Sequence, residues 1–228
     1  MKRSRIPLGR YIWQPILRFL IWLFARVTVR NTGLVPRDGA GIIYYNHIHW
    51  LDPPLICATA PRYAVPLTKV EASHWPLVGS LLRWYHVIFI TRGVVDRTAL
   101  KATWEILDAG DISVISPEGT RSLDGRLQAA KEGLAFIAHH DPDCWLMPCG
   151  VTGTPAFDFK HFWRRPPLTL TYGRPFRFCW PDGKASREVQ SAMADEAMTQ
   201  FLPLLPPQMH GDYAGRDPSA VRWLEFLA

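Results

Sequence analysis

The run Gly41-Ile42-Ile43-Tyr44-Tyr45-Asn46-His47-Ile48-His49-Trp50-Leu51-Asp52-Pro53-Pro54 decides how this chain folds. A short, unbroken apolar stretch is the pattern of a strand buried on both faces. It stops at Asn46 and gives way to a polar, turn-prone block. The C-terminal end of a strand is where α/β sheets place their sites.

The same pattern recurs outward from this stretch. Residues 85–91 (YHVIFIT), 112–116 (ISVIS), 145–150 (WLMPCG) and 168–172 (LTLTY) are further strand candidates. Helical spacing lies between them. Asp96 is placed to cap a helix in which Leu100, Trp104 and Leu107 share a face, and Gly110 suits its end. Residues 128–140, with Leu134 and Ile137 inward, and 188–202 read as two more helices. Strands alternating with helices indicate an α/β fold: a single domain with a largely parallel central sheet flanked by helices. The expected boundaries are an N-terminal helical segment at 1–32, the domain at 33–205 and a C-terminal tail at 206–228.

Composition narrows the class. With 228 residues, 48% hydrophobic and 20% charged, the chain can bury a conventional core and is no disordered segment. The formal net charge is +6, but it is unevenly placed. Residues 1–37 carry eight of the 26 lysines and arginines and none of the 20 acids, so the other 191 residues hold 18 against 20. A nucleic-acid-binding domain would spread its basic surface through the fold, so nucleic acid is not the expected partner. Cys57, Cys144, Cys149 and Cys179 form no CxxC pair, which argues for reduced thiols and against structural zinc.

The basic segment contains YIWQPILRFLIWLF at 11–24. Its longest uninterrupted apolar run is seven residues, 19–25, far short of the roughly 20 a spanning helix needs. A signal peptide would need a small-x-small cleavage site, and none follows. Bulky apolar residues, Trp13 and Trp22, and arginines at intervals fit an amphipathic helix lying on an anionic membrane surface. A helix packed on the protein's own core is the competing reading.

Three strand ends carry candidate chemistry. His47 and Asp52, five positions apart, form a dyad if the chain turns there from strand into helix. The acid would fix one ring nitrogen and leave the other as a general base. His47-x-His49 resembles part of a metal-ligating HxHxDH pattern, but Asp52 falls one place late and no His follows it, so no metal is expected. Ser116-Pro117-Glu118-Gly119-Thr120-Arg121 ends another strand. Gly119 allows an unusual backbone, and Thr120 and Arg121 supply donors suited to a phosphate. Lys69-Val70-Glu71 precedes the 85–91 strand, and Arg92 follows it. If these strands are neighbours, the groups converge on one cleft. The chain contains no GxSxG elbow, no GxGxxG and no P-loop, which removes three common classes of site.

In order, Asn46-His47-x4-Asp52, Lys69-x-Glu71 with Pro76-x-x-Gly79 and Arg92, Pro117-Glu118-Gly119-Thr120-Arg121, and an apolar strand bearing Pro148 resemble the glycerolipid acyltransferase family. The likeness spans about residues 30–180 and is strongest to the bacterial 1-acyl-sn-glycerol-3-phosphate (lysophosphatidic acid) acyltransferases. The resemblance implies an enzyme in which His47 takes the proton of an acceptor hydroxyl and Asp52 orients His47. The hydroxyl attacks the thioester of acyl-CoA or an acyl carrier protein, with no acyl-enzyme and no cofactor. Arg92, Lys69, Glu118, Gly119, Thr120 and Arg121 would hold the phosphate and glycerol of a lysophospholipid acceptor, and Pro148 would line the acyl-donor side. The implied location is the cytoplasmic face of the cell membrane, peripheral or monotopic. One departure stands out: His49 occupies a place where the family commonly has Ser. A different lysolipid or glycolipid acceptor, or a membrane-binding module without catalysis, are the alternative readings.

Overall fold

The computed structural model describes residues 8–91, 93, 96–157, 162–181 and 185–227. Arg92, assigned above to the acceptor's phosphate, lies outside the described residues. In chain order the first half contains α1 (Leu8–Phe24), β1 (Arg26–Arg30), β2 (Gly41–Tyr45), α2 (Asp52–Thr59), β3 (Ala64–Lys69), α3 (Val78–Trp84), β4 (Ile88–Ile90) and α4 (Arg97–Asp108). The second half contains β5 (Ile112–Ile115), α5 (Gly133–Ala138), β6 (Trp145–Thr152), β7 (Pro167–Tyr172), β8 (Phe176–Phe178), α6 (Arg187–Thr199) and β9 (Leu224–Phe226).

The strands join one sheet in the order β1-β7-β6-β2-β5-β3-β4. Strand β2 lies at its centre, parallel to β5 and β6, and β3 continues the parallel set from β5 to β4. Only toward one edge does direction change: β7 runs antiparallel to β6, and β8 and β9 add antiparallel pairs. The α/β fold with a largely parallel sheet is therefore as the sequence indicates. All five residues of β2 are buried because helices cover both faces. Ile43 and Tyr45 face the cluster containing α1 and α2, with Val114, Met147 and Cys149. Ile42 and Tyr44 face the other cluster, with Leu134, Met198 and Phe201 from α5 and α6 or just after it.

Local signals hold where the side chain acts on its own backbone. Asp96 Oδ1 accepts from the N–H groups of Thr98 and Ala99 at 3.1 and 3.0 Å, the N-cap of α4. Gly110 ends that helix with a φ of +75°. Elsewhere tertiary contacts override the pattern. The helix expected over 128–140 shrinks to Gly133–Ala138. Residues before it run as a strap whose N–H groups are taken up by distant partners. Residues 206–228, expected as a tail, pack into the body: Tyr213 is fully buried and β9 pairs with β8.

Helix α1 lies against α2. Gln14 Nε2 donates to the carbonyls of Cys57 and Ala60 at 3.0 and 3.2 Å, and Arg18 Nε donates to that of Ala58. These are among the last carbonyls of α2, which lack partners within their own helix. Gln14 and Arg18, four positions apart on the helix, thus turn inward. Tyr11, Phe19 and Trp22, 66%, 57% and 62% exposed, face outward. No helix among the described residues is long and apolar enough to cross a membrane.

Candidate active site

The centre of the site is the junction between β2 and α2. His47 Nδ1 lies 2.9 Å from Asp52 Oδ2, and Asp52 is fully buried. The same oxygen accepts from the backbone N–H groups of Ile48 and His49 at 2.8 and 2.7 Å, while Thr154 Oγ1 donates to Oδ1 at 2.7 Å. Every neutral partner donates, the pattern an acceptor-only carboxylate requires. Asp52 also stands at the first turn of α2, where the helix dipole favours negative charge. With Nδ1–H committed to Asp52, His47 keeps its lone pair on Nε2, the form a general base needs. The ring holds a trace of exposure, 7% for the residue.

Two neighbouring strands fix this junction. Asn46 places Nδ2 3.0 Å from the Val151 carbonyl and accepts the Val151 N–H on Oδ1 at 2.7 Å, continuing the β2–β6 pairing with a side chain. Past β5, Glu118 Oε1 accepts the His47 N–H at 2.9 Å, Glu118 Oε2 accepts from Gln128 N–H at 3.2 Å, and Ser122 N–H donates to the His47 carbonyl at 2.7 Å. His47 is thus gripped through both of its backbone polar groups. Burial pushes the Glu118 carboxyl up to about 7; the two N–H groups oppose the rise, and Asp52 and Asp124 add to it.

The other sequence-derived residues fall around this core. Gly119 has a φ of +69°, and Thr120 and Arg121 are exposed beside it. Lys69 ends β3, on the same edge of the sheet as His47 and Glu118, with its Nζ 5.4 Å from the Trp75 ring centroid. Pro148 lies within β6, paired with Tyr44 and close to Gly173 and Leu204, on a strand stretch before the Asn46–Val151 clasp. Glu118, assigned above to a substrate, spends both oxygens on the protein's own backbone, a clamp on the His47 turn. His49 is half-buried beside Trp50. Burial lowers its imidazole below the usual histidine value; Asp52 opposes this, and Arg121 and His47 add to it. Among the described residues no group of three His, Cys, Asp or Glu is arranged to hold a metal.

Thr154 escaped the sequence reading. It lies 102 positions from Asp52 and no local motif marks it. Its one trace is Gly153, which turns the chain off β6 with a φ of +86°; a Cβ there would come 2.2 Å from the Pro167 carbonyl oxygen.

A buried acid fixing a histidine at the end of a central strand, with a cationic turn at the next strand end, defines an α/β group-transfer site. The family model described as Acyltransferase matches residues 26–152, more than half of the chain, and the chain belongs to the acyltransferase family. A 1-acyl-sn-glycerol-3-phosphate acyltransferase of Limnanthes douglasii is 31% identical over 178 residues, 75% of this chain and 62% of that protein. The chain thus spans about three-fifths of the length of that relative. A lyso-ornithine lipid O-acyltransferase of Pseudomonas aeruginosa is 34% identical over 142 residues, 56% of this chain and 54% of its own. The crystal structure of the 1-acyl-sn-glycerophosphate acyltransferase of Thermotoga maritima aligns with a TM-score of 0.63 at 26% identity, over 82% of this chain and 77% of that one.

Proposed function

We propose that the protein transfers an acyl group from acyl-CoA or an acyl carrier protein to the free hydroxyl of a 1-acyl-glycerol 3-phosphate, giving phosphatidic acid. The observation that carries this reading is the His47–Asp52 pair, 2.9 Å apart, with three further donors on the carboxylate. His47 Nε2 takes the hydroxyl proton as the oxygen attacks the thioester carbonyl. Asp52 stabilises the imidazolium that forms. The tetrahedral intermediate then collapses, the carbon–sulfur bond breaks, and His47 returns the proton to the departing sulfur. General acid–base help of this kind contributes roughly 10²–10⁴-fold. Thr120 and Arg121, with Lys69 and Arg92, supply the donors for the acceptor's phosphate.

The reaction belongs at a membrane surface. Tyr11, Phe19 and Trp22 of α1 face outward, and Trp13 meets Trp84 of α3 edge-on at 5.4 Å. Around α3, Trp75, Leu77 and Val78 extend this apolar exposure, with Leu77 89% exposed. Apolar bulk joined to a basic N-terminal segment supports adsorption to anionic lipid.

A second acceptor is favoured by one observation. His49 stands beside His47 where the family commonly has Ser, and one relative acts on a lyso-ornithine lipid. Mass spectrometry of products from purified protein, acyl-CoA and a panel of lysolipids decides between them. Phosphatidic acid as the dominant product supports the first reading. Acylation of lyso-ornithine lipid with lysophosphatidate untouched replaces it.

A further inference from the structure

We propose that Lys131, outside the four motifs of the sequence, binds a substrate phosphate at the Gly119 turn. The inference deepens the function proposed above and rests on it for the reaction, though not for the binding of phosphate.

The side chain of Lys131 lies across the turn that follows β5. A Cβ built on Gly119 would meet Lys131 Cδ at 3.0 Å, Cε at 3.3 Å and Nζ at 3.4 Å, so the lysine stem occupies the space that only glycine leaves open. The Lys131 backbone is tied to the same turn, its N–H donating to the Pro117 carbonyl at 2.9 Å. Three residues earlier, the Gln128 N–H is held by Glu118, the residue that also grips His47. The strap 128–131 therefore fixes the lysine relative to the catalytic histidine.

What Lys131 lacks is an acid. Its neighbour Glu132 is taken by Arg187, Nε to Oε2 at 2.6 Å, and among the described residues Lys131 has no ion pair. The backbone N–H groups of Thr120 and Arg121 likewise have no acceptor among the described residues. A glycine at positive φ followed by free N–H groups is the geometry of an anion-binding nest. Lys131 adds a compact positive charge with three donors, and Arg121 a planar guanidinium. One phosphate would satisfy this whole set. It can come from the acceptor's glycerol 3-phosphate end or from the phosphates of CoA.

The test compares wild type, Lys131→Met and Lys131→Arg in kinetics with 1-acyl-glycerol 3-phosphate and acyl-CoA varied separately. Losing one charge-assisted contact should raise the KM of the phosphate-bearing substrate about tenfold or more, with kcat changed less and with recovery in Lys131→Arg. A rise confined to the acceptor assigns the acceptor's phosphate; a rise confined to the donor assigns that of CoA. Both KM values unchanged within twofold in Lys131→Met would overturn the proposal. Thermal unfolding with added glycerol 3-phosphate provides an arm that needs no turnover. Stabilisation of wild type, lost in Lys131→Met, supports the site even if lysophosphatidate proves not to be the acceptor. Equal stabilisation of both, or none in wild type, contradicts it.

Discussion

At the residue scale, the histidine and aspartate divide their work by environment. Asp52 is fully buried with four donors, so each donor matters to its charge. Thr154→Val removes one donor and keeps the shape. Chemical denaturation should show a loss of about 1–3 kcal/mol, and kcat should fall by about tenfold as the carboxylate loses its fixed direction. Glu118 makes a different prediction. Its carboxyl, raised to about 7 by burial, binds its proton more tightly folded than unfolded. Between about pH 4.5 and 7 the native state therefore holds the extra proton, so this group's contribution to stability falls as pH rises and is constant above. Glu118→Gln removes the titration. Relative to the variant, wild type should lose roughly 3 kcal/mol between pH 4.5 and 8, measured by denaturant midpoints. The same variant should lower kcat at every pH, because a glutamine cannot accept from both His47 and Gln128 N–H groups. The spacing of His47 and Asp52 was legible because a strand-to-helix turn is a local event. Thr154 was not, because sheet order alone brings it 102 positions back to the acid.

At the element scale, every stretch expected as a strand holds one, β2, β4, β5, β6 and β7, although residues 85–91 keep only Ile88–Ile90 in that form. Strand β3 carries Pro66, and a proline offers no N–H to a ladder, so its sequence hides it. Strands β8 and β9 are three residues each, too short to show a period. The strap before α5, Gln128-Ala129-Ala130-Lys131, is made of good helix formers, yet Glu118, Asp212 and Tyr213 claim its N–H groups at Gln128, Ala129 and Ala130. Helix α1 packs on the protein's own body, the competing reading offered for it. Its Gln14 and Arg18 serve α2, and an apolar face remains outside. Phe19→Glu with Trp22→Glu removes that face without touching the core. Sedimentation with anionic vesicles should drop about tenfold or more, while turnover of a short-chain, dispersed acceptor stays near wild type. Undiminished vesicle binding would place the membrane contact elsewhere.

At the scale of the whole molecule, the site is assembled from parts far apart in sequence. The parallel strands β2, β3, β4 and β5 leave their C-terminal ends on one edge, which is why His47, Lys69 and Glu118 gather there. Alternation of strands and helices made that edge readable. The C-terminal segment reads as a tail because its apolar residues gather only at 220–227, behind a polar stretch punctuated by Pro and Gly. Its contacts run inward: Tyr213 accepts from Ala130 N–H and donates to Asp195, Asp212 holds Ala129, and that strap holds Glu118. A chain ending at residue 205 should show no cooperative thermal transition by circular dichroism, since it loses buried Tyr213 and Leu224 together with β9.

The charge count shows the same division of labour. The body beyond residue 37 is close to neutral, so any work its few cations at the sheet edge do comes from their position, while the positive excess lies in the N-terminal segment. All of this depends on His47 being the base. The direct measurement is the rate of thiol release from acyl-CoA with 1-acyl-glycerol 3-phosphate, comparing wild type with His47→Ala and Asp52→Asn at matched, folded concentrations. The mechanism predicts acceptor-dependent release by wild type and a fall of at least about 10²-fold in both variants. Turnover near the wild-type rate in either variant would contradict it.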